Sequence, residues 1–266
     1  MLKVASLFAG VGGIDLGFEE TGHFETVVAN EYDTNASITY SANFSNELIV
    51  DDVRNLDPKK LPDFDVLLSG FPCTSFSIAG YRKGFEDEIT GDLFFETLRI
   101  IVAKKPKVIF LENVKNLVGH DKGNTFNVIR EALEENGYYI KYQVLNAKDY
   151  GDIPQNRERI YIVGFLDKEH YRNFEFPMPL KPNNTIRDMI DFETKVDDKF
   201  YYSKDKNVFY DQLEESMTSD ETIYQWRRKY VRENKSNVCP TLTANMGTGG
   251  HNVPLIKTKH GIRKLT

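Results

Sequence analysis

Cys73 is the residue of this 266-residue chain whose type and position most clearly predict chemistry. It closes the Gly-Phe-Pro-Cys segment 70–73, directly after the apolar run 65–69. A short apolar run bounded by turn residues is typical of a buried parallel strand, and open α/β sheets bind ligands beyond the carboxyl ends of such strands. The polar loop that follows contains the bases Arg82 and Lys83. A thiol at a strand end under a long basic loop predicts a nucleophile beneath a lid.

Glu112 is the second residue that could act on a substrate. It follows the strand-like run 107–111 and would lie on the same sheet rim as Cys73. A buried acid near a thiol could hold a proton and deliver it to a substrate nitrogen, although it could equally cap the next element. Arg157 and Arg159 are spaced i, i+2 on an extended segment and so point the same way, toward one anion or carbonyl. A surface salt-bridge cluster is the alternative interpretation of this pair.

A glycine turn at 9–13 and an acid at the end of the next strand-like run, Glu31, indicate a nucleotide-like ligand. Glycines let the backbone approach a ligand, and an acid about twenty residues on can bind ribose hydroxyls. Asp15 replaces the third glycine of the dinucleotide fingerprint, which argues against NAD and favours a sulfonium cofactor such as S-adenosylmethionine. A tight strand–helix turn without a ligand is the alternative. Asp52 and Val53, after the third run, could contact an adenine or cap a helix.

Composition and charge narrow the class of protein. With two cysteines, no zinc-like spacing, no membrane-length apolar run and no signal-peptide pattern, we expect a cytoplasmic protein without a metal or a disulfide framework. The net charge is −6, but residues 224–266 carry nine Lys or Arg against one acidic residue, a charge of +8. The first 223 residues carry 25 basic and 39 acidic residues, a charge of −14. A basic end on an acidic body indicates a polyanion-binding segment, with a solvated tail as the alternative.

Strand and helix patterns alternate through the first two-thirds of the chain and predict a parallel sheet covered on both faces. The runs 139–147 and 159–165 lack a helix between them and predict an antiparallel pair at one sheet edge. Prolines after 174 indicate a domain boundary, so we predict domains at 1–182 and 183–266, the second polar and irregular. The predicted strands are 4–8, 26–30, 48–50, 65–69, 107–111, 139–147 and 159–165, and the predicted helices are 12–21, 92–104 and 125–136.

The segment 224–232 interleaves bases with aromatic residues, a pattern suited to phosphate contact and base readout. The segment 241–250 is rich in glycine and hydroxyl side chains and has little reason to be core. The first of these patterns predicts a nucleic-acid contact.

Taken in order, the segments 8–13, 70–73, 112–114 and 155–159 resemble four signature motifs of the DNA cytosine-5 methyltransferases of bacterial restriction–modification systems. The resemblance implies a Rossmann-like S-adenosylmethionine-dependent methyltransferase sheet in 1–182 and a smaller target-recognition domain in 183–266. It implies that Cys73 is the nucleophile, that Glu112 and Arg159 hold the target cytosine and that Arg157 supports the site. The implied partner is double-stranded DNA. The S-adenosylmethionine pocket would be lined by Phe8, Gly10, Val11, Gly13, Glu31, Tyr32, Asp52, Val53, Gly70, Pro72 and Leu93. The DNA contacts would come from Ser77, Arg82, Lys83, Arg227, Arg228, Thr241, Gly249 and Gly250.

The match to the family stops at 261–266, where a further motif and a returning helix would follow. We therefore expect a complementing C-terminal chain to be needed for full activity. Three other functions stay open: a non-catalytic or split-enzyme DNA-binding subunit, an RNA cytosine methyltransferase on the same scaffold, and an NAD enzyme.

Overall fold

The computed structural model describes residues 1–72, 93–243, 246 and 253–266. These residues form two compact units, which are described separately. The first unit contains Met1–Val144 and Arg159–Phe176, and the second contains Leu145–Glu158 and Pro177–Thr266. Neither unit contains, among its described residues, a helix long and apolar enough to span a membrane.

The described part of the first unit is built on a seven-stranded sheet with the order β3-β2-β1-β4-β5-β8-β6. The five strands from β3 to β5 are mutually parallel, and β8 runs antiparallel to β5. Strand β4 is buried along its whole length, which explains its continuous apolar sequence. The α/β class, all seven predicted strands and the antiparallel arrangement near one edge are confirmed. The strands are β1 (Leu2–Leu7), β2 (Phe24–Glu31), β3 (Glu47–Val50), β4 (Val66–Ser69), β5 (Val108–Val114), β6 (Tyr139–Asn146) and β8 (Glu158–Phe165).

Helices of the first unit pack their apolar side chains on this sheet. Helix α3 buries Phe94, Leu98 and Ile101, each fully or almost fully removed from solvent. Burying a side chain of this size stabilises the fold by roughly 1.5–3 kcal/mol. Helix α2 begins at an N-cap, Asp33, whose carboxylate accepts hydrogen bonds from two backbone amides at 2.8 Å. The helices are α1 (Gly13–Glu19), α2 (Thr34–Asn43), α3 (Leu93–Lys104), α4 (Asn124–Glu135) and α6 (Lys168–Asn173), with α5 (Ala147–Tyr150) in the second unit.

The second unit has a sheet of its own, which corrects the expectation that residues after 183 are irregular. Four short strands pair in the order β10-β9-β12-β13, and a parallel pair, β7 and β11, forms beside them. Apolar side chains of these strands, including Tyr224 and Leu255, pack with Leu213 of the helix Tyr210–Ser216 in a separate core. Strands of two to five residues are too short to show a clear period in the sequence. The elements are β7 (Gln155–Asn156), α7 (Ile186–Met189), α8 (Tyr210–Ser216), β9 (Tyr224–Trp226), β10 (Val231–Glu233), β11 (Cys239–Pro240), β12 (Pro254–Thr258) and β13 (Gly261–Lys264).

The division between the units differs from the predicted boundary at 182/183. Residues 145–158 cluster with the second unit because β7 pairs with β11. The carboxylate of Asp152 also accepts hydrogen bonds from the backbone amides of Asn183 and Asn184, at 2.6 and 3.0 Å. These contacts join segments that are far apart in the chain, so local sequence patterns do not predict them.

Candidate active site

The glycine turn after β1 has the backbone that its sequence predicts. Gly10 and Gly12 have φ angles of 59° and 88°, the left-handed region that favours glycine. A Cβ at Gly12 would lie 2.1 Å from the Phe44 ring, so no larger residue fits there without displacing that ring. The turn therefore needs glycine at this position for both conformation and space.

Glu31 joins this turn to the end of β2. Its Oε2 accepts a hydrogen bond from the Gly10 amide and its Oε1 accepts one from the Asp33 amide, both at 2.7 Å. The residues next to these two amides in the sequence are exposed: Val11 is 56% exposed and Tyr32 is 72% exposed. A carboxylate held between two loops that expose apolar side chains suits a ligand with hydroxyl groups and a flat apolar ring.

The end of β3 is organised by Asp52, which is the N-cap of a single helical turn. Its Oδ1 accepts a hydrogen bond from the Arg54 amide at 2.9 Å, and its Oδ2 pairs with the Arg54 guanidinium at 3.1 Å. Val53 is buried in the core, and its carbonyl accepts a hydrogen bond from Arg99 of α3. Leu93 begins α3 and is partly buried against the same core.

Glu112 and Arg159 come together at the ends of β5 and β8. The Arg159 Nε lies 2.8 Å from Glu112 Oε1, and both side chains are largely buried. The register explains the contact: Glu112 lies opposite Tyr161, and Arg159, two residues earlier on β8, points to the same face. The other oxygen, Oε2, would lie 3.7 Å from a Cβ at Gly70. The carboxylate therefore faces the segment that leads into Cys73.

Asn113 holds that segment in place, a role that sequence reasoning missed. This buried amide donates from Nδ2 to the Phe71 carbonyl at 2.8 Å and accepts from the Val114 amide at 2.8 Å. Phe71 is itself buried, with its ring 5.5 Å from that of Phe94. The available signal was an amide side chain beside Glu112 at the end of an otherwise apolar strand.

Arg157 makes two hydrogen bonds within the second unit. Its guanidinium donates to the Leu242 carbonyl at 3.3 Å, and its amide donates to the Asn146 side chain at 3.0 Å. Thr241 also binds this segment, donating from its hydroxyl to the Asn156 carbonyl at 2.7 Å. These hydrogen bonds of Arg157 are distinct from the ion pair that Arg159 makes with Glu112.

The basic and aromatic segment forms a hairpin of β9 and β10. Tyr224 is buried, and Trp226 stacks on Phe209 with ring centroids 4.9 Å apart. The Arg227 amide donates to the Tyr230 carbonyl at 2.8 Å to close the turn, and Arg228 has a φ of 68° at its tip. Of the aromatic residues in this segment, Tyr224 is therefore a core residue and Trp226 packs against that core, whereas Arg228 is exposed at the tip.

Comparison with known proteins identifies the family. A sequence profile described as "C-5 cytosine-specific DNA methylase" matches residues 2–266. The chain belongs to this family. It is 79% identical over 266 residues to type II methyltransferase M.Bsp6I of Bacillus sp. (strain RFL6), an alignment that spans 100% of this chain and 84% of that protein. It is 40% identical to type II methyltransferase M.HaeII of Haemophilus aegyptius, over 99% of this chain and 79% of that protein.

The solved structures give the fold. The crystal structure of a DNMT2 mutant from Spodoptera frugiperda superposes with a TM-score of 0.61 at 22% identity, covering 76% of this chain and 62% of that one. At this identity the likeness speaks for the methyltransferase fold alone. The family match and the named relatives make this chain a DNA (cytosine-5) methyltransferase of the restriction–modification type. They do not favour the RNA methyltransferase or the NAD enzyme.

Several predicted site residues of this methyltransferase lie outside the described residues. They are Cys73, Ser77, Arg82, Lys83, Gly249 and Gly250. Of the remaining predicted residues, the first unit brings Phe8, Gly10, Glu31 and Gly70 to the carboxyl ends of its strands, with Glu112 and Arg159 paired beside them. In the part of the chain that the structure describes, no group of three or more His, Cys, Asp or Glu side chains is arranged to hold a metal ion.

Proposed function

We propose that this methyltransferase transfers a methyl group from S-adenosylmethionine to C5 of a cytosine flipped out of double-stranded DNA, through a covalent adduct with Cys73. The observation that carries the proposal is the Glu112–Arg159 pair, held at 2.8 Å beside Gly70 and therefore beside the segment that ends in Cys73. A largely buried carboxylate paired with a guanidinium, beside the segment that leads into a cysteine, is suited to activating a polar heterocycle.

The residues around Glu31 fit S-adenosylmethionine. The Glu31 carboxylate is fixed by two backbone amides and can accept ribose hydroxyls, and the exposed side chains of Val11 and Tyr32 offer apolar faces to an adenine. The glycine turn provides close backbone approach without the third glycine of a pyrophosphate site. When bound, this cofactor would supply an electrophilic methyl group.

The chain's own residues would make cytosine reactive toward that group. The Cys73 thiolate adds to C6 while Glu112 supplies a proton or hydrogen bond at N3, and C5 gains the electron density that it lacks in the free base. Once C5 carries the methyl group, loss of the C5 proton to solvent would expel the Cys73 thiolate and restore the ring. A free thiol has a pKa of about 8.5, so only a few per cent is thiolate at neutral pH and the site must favour the anion. Arg159 would hold the base beside Glu112.

Access to the base requires that it leave the duplex. Flipping a base costs a few kcal/mol, which phosphate contacts elsewhere must offset. The exposed basic tip at Arg228 and the predicted loop bases Arg82 and Lys83 are the candidates for those contacts.

Methyl transfer and adduct formation can be tested together. Purified protein is incubated with methyl-labelled S-adenosylmethionine and either mixed-sequence duplex DNA or RNA. A parallel duplex carries 5-fluorocytosine, from which fluorine cannot leave as a cation, so an adduct would persist on a denaturing gel. We expect labelled 5-methylcytosine in DNA alone and a trapped complex with the fluorinated duplex.

Two variants assign the nucleophile. Cys73→Ser should abolish both signals and retain DNA binding, because a hydroxyl is far less acidic than a thiol. Cys239→Ala removes the only other cysteine and should preserve both. Substantial methylation by Cys73→Ser would remove Cys73 from this role, and labelling of RNA in place of DNA would overturn the proposed substrate.

A further inference from the structure

A buried polar cluster is centred on the helix that follows the glycine turn, and the proposed chemistry does not use it. Asp15, in the first turn of α1, is completely buried. Its Oδ2 accepts a hydrogen bond from the Ser6 hydroxyl of β1, and its Oδ1 accepts one from the Tyr40 hydroxyl of α2, both at 3.0 Å. Asp15 is thus the point at which three elements of the first unit meet.

The same three elements carry the two loops at the predicted cofactor site. Strand β1 and helix α1 flank the turn at Gly10 and Gly12, and α2 follows the Glu31 segment. Tyr40, also fully buried, stacks on Phe44 with ring centroids 4.4 Å apart. The Phe44 ring occupies the space that a side chain at Gly12 would need. Asp15, Tyr40 and Phe44 therefore form one packed cluster, which contacts the glycine turn through the Phe44 ring at Gly12.

Burying a carboxyl group at this position is energetically unfavourable unless its hydrogen bonds compensate for the lost hydration. Burial raises the pKa of Asp15, with the Ser6 and Tyr40 hydrogen bonds opposing that shift. An apolar residue would fill a buried site without this desolvation cost. The dinucleotide fingerprint has glycine at this position. Here the position instead carries a side chain that accepts hydrogen bonds from Ser6 and Tyr40.

We propose that Asp15 and Tyr40 are positioning residues for the cofactor, because their hydrogen bond fixes the glycine turn and the Glu31 loop relative to each other. This inference rests on the proposed function, in which S-adenosylmethionine occupies these two loops. The bond from the Gly10 amide to Glu31 joins the two loops directly, and the Asp15–Tyr40 bond joins the helices α1 and α2 that follow them.

The test is Tyr40→Phe, which removes one hydroxyl and leaves the ring to pack on Phe44. Its matched control is Tyr138→Phe: Tyr138 is also buried in the first unit, and its hydroxyl donates to the Pro106 carbonyl at 2.7 Å, away from both loops in sequence. Ser6→Ala is a second variant that removes the other bond to Asp15. Calorimetry with S-adenosylmethionine gives the affinity, steady-state kinetics give KM and kcat, and thermal melting reports stability.

We expect Tyr40→Phe and Ser6→Ala to raise the dissociation constant and the cofactor KM by about tenfold, since a buried hydrogen bond contributes that order of free energy. The kcat at saturating cofactor should change much less. Tyr138→Phe should lower the melting temperature with no change in affinity. Unchanged affinity in Tyr40→Phe and Ser6→Ala, or equal weakening in Tyr138→Phe, would overturn the inference alone. A wild-type chain that does not bind S-adenosylmethionine would overturn the proposed cofactor as well.

Discussion

The two units of this methyltransferase place functional side chains in different ways. In the first unit, Glu31 and Glu112 stand at the ends of buried parallel strands, and each is held by partners that the sheet itself brings close. In the second unit, the basic tip at Arg228 sits on a two-stranded hairpin whose neighbours Tyr224 and Trp226 supply its core. The same few residues there both build the unit and border its exposed surface.

This difference explains why one region is readable from sequence and the other is not. A buried strand followed by a polar residue has one common meaning, because parallel strands end at a shared rim. An aromatic residue between arginine and lysine residues can be interpreted in two ways, since its ring can stack on a nucleotide or fill a small core. Three experiments test this contrast.

The largest effect should come from the first unit. Glu112→Gln keeps the shape of the side chain but removes its acid function, and we expect kcat to fall by about 10²–10⁴-fold with DNA affinity little changed. The matched control is Glu221→Gln in the second unit, where Glu221 pairs with Arg187 at 3.0 Å on the surface. That variant should have wild-type kinetics. A loss of less than tenfold in Glu112→Gln would show that Glu112 is structural.

The second experiment separates core from surface within the hairpin. Tyr224→Ala should destabilise the second unit by about 3–5 kcal/mol, because it empties a buried aromatic site. Tyr230→Ala, at the 57% exposed Tyr230 of the same hairpin, should change stability by about 0.5 kcal/mol or less. Denaturant unfolding can be followed by fluorescence of Trp226, the only tryptophan of the chain. Equal destabilisation by both variants would contradict the division between core and tip.

The smallest effect concerns the charges at the tip. In the double variant Arg227→Gln, Arg228→Asn, the asparagine tolerates the left-handed backbone at 228. If both arginines contact phosphates, the slope of log affinity against log salt should flatten by about 1.8. Lys195→Gln with Lys199→Gln, two exposed lysines of the same unit, is the control and should leave the slope unchanged. An unaltered slope in the arginine variant would make the tip an ordinary solvated turn.

Much of the first unit could be predicted from sequence. Its seven strands are apolar runs closed by turn residues, and the order of four short motifs was enough to indicate the family, which the comparisons confirm. The partnership of Glu112 with Arg159 follows from register, but register depends on how β8 pairs with β5, which no local pattern states. Asn113 was missed for a related reason: its role depends on Phe71, 42 residues away in the chain.

The second unit could not be predicted to the same degree. Its strands are short, and their stability comes from contacts such as the pairing of β7 with β11 across more than eighty residues. Residues 145–158 look like a continuation of the first unit until that pairing is known. Tyr224 illustrates the limit, because the bases Arg227 and Arg228 follow it closely in the sequence while its neighbours in space are apolar.

Cys239 has a practical consequence for the study of this enzyme. It is buried in β11, and burial raises the pKa of its thiol to about 12, so it stays protonated and shielded in the folded chain. The sequence contains one other thiol, Cys73. We therefore expect mild alkylation of the native protein to modify the proposed nucleophile alone, so that no other cysteine has to be removed by mutation. Its rate against pH would measure the ionisation of Cys73 in the wild-type chain.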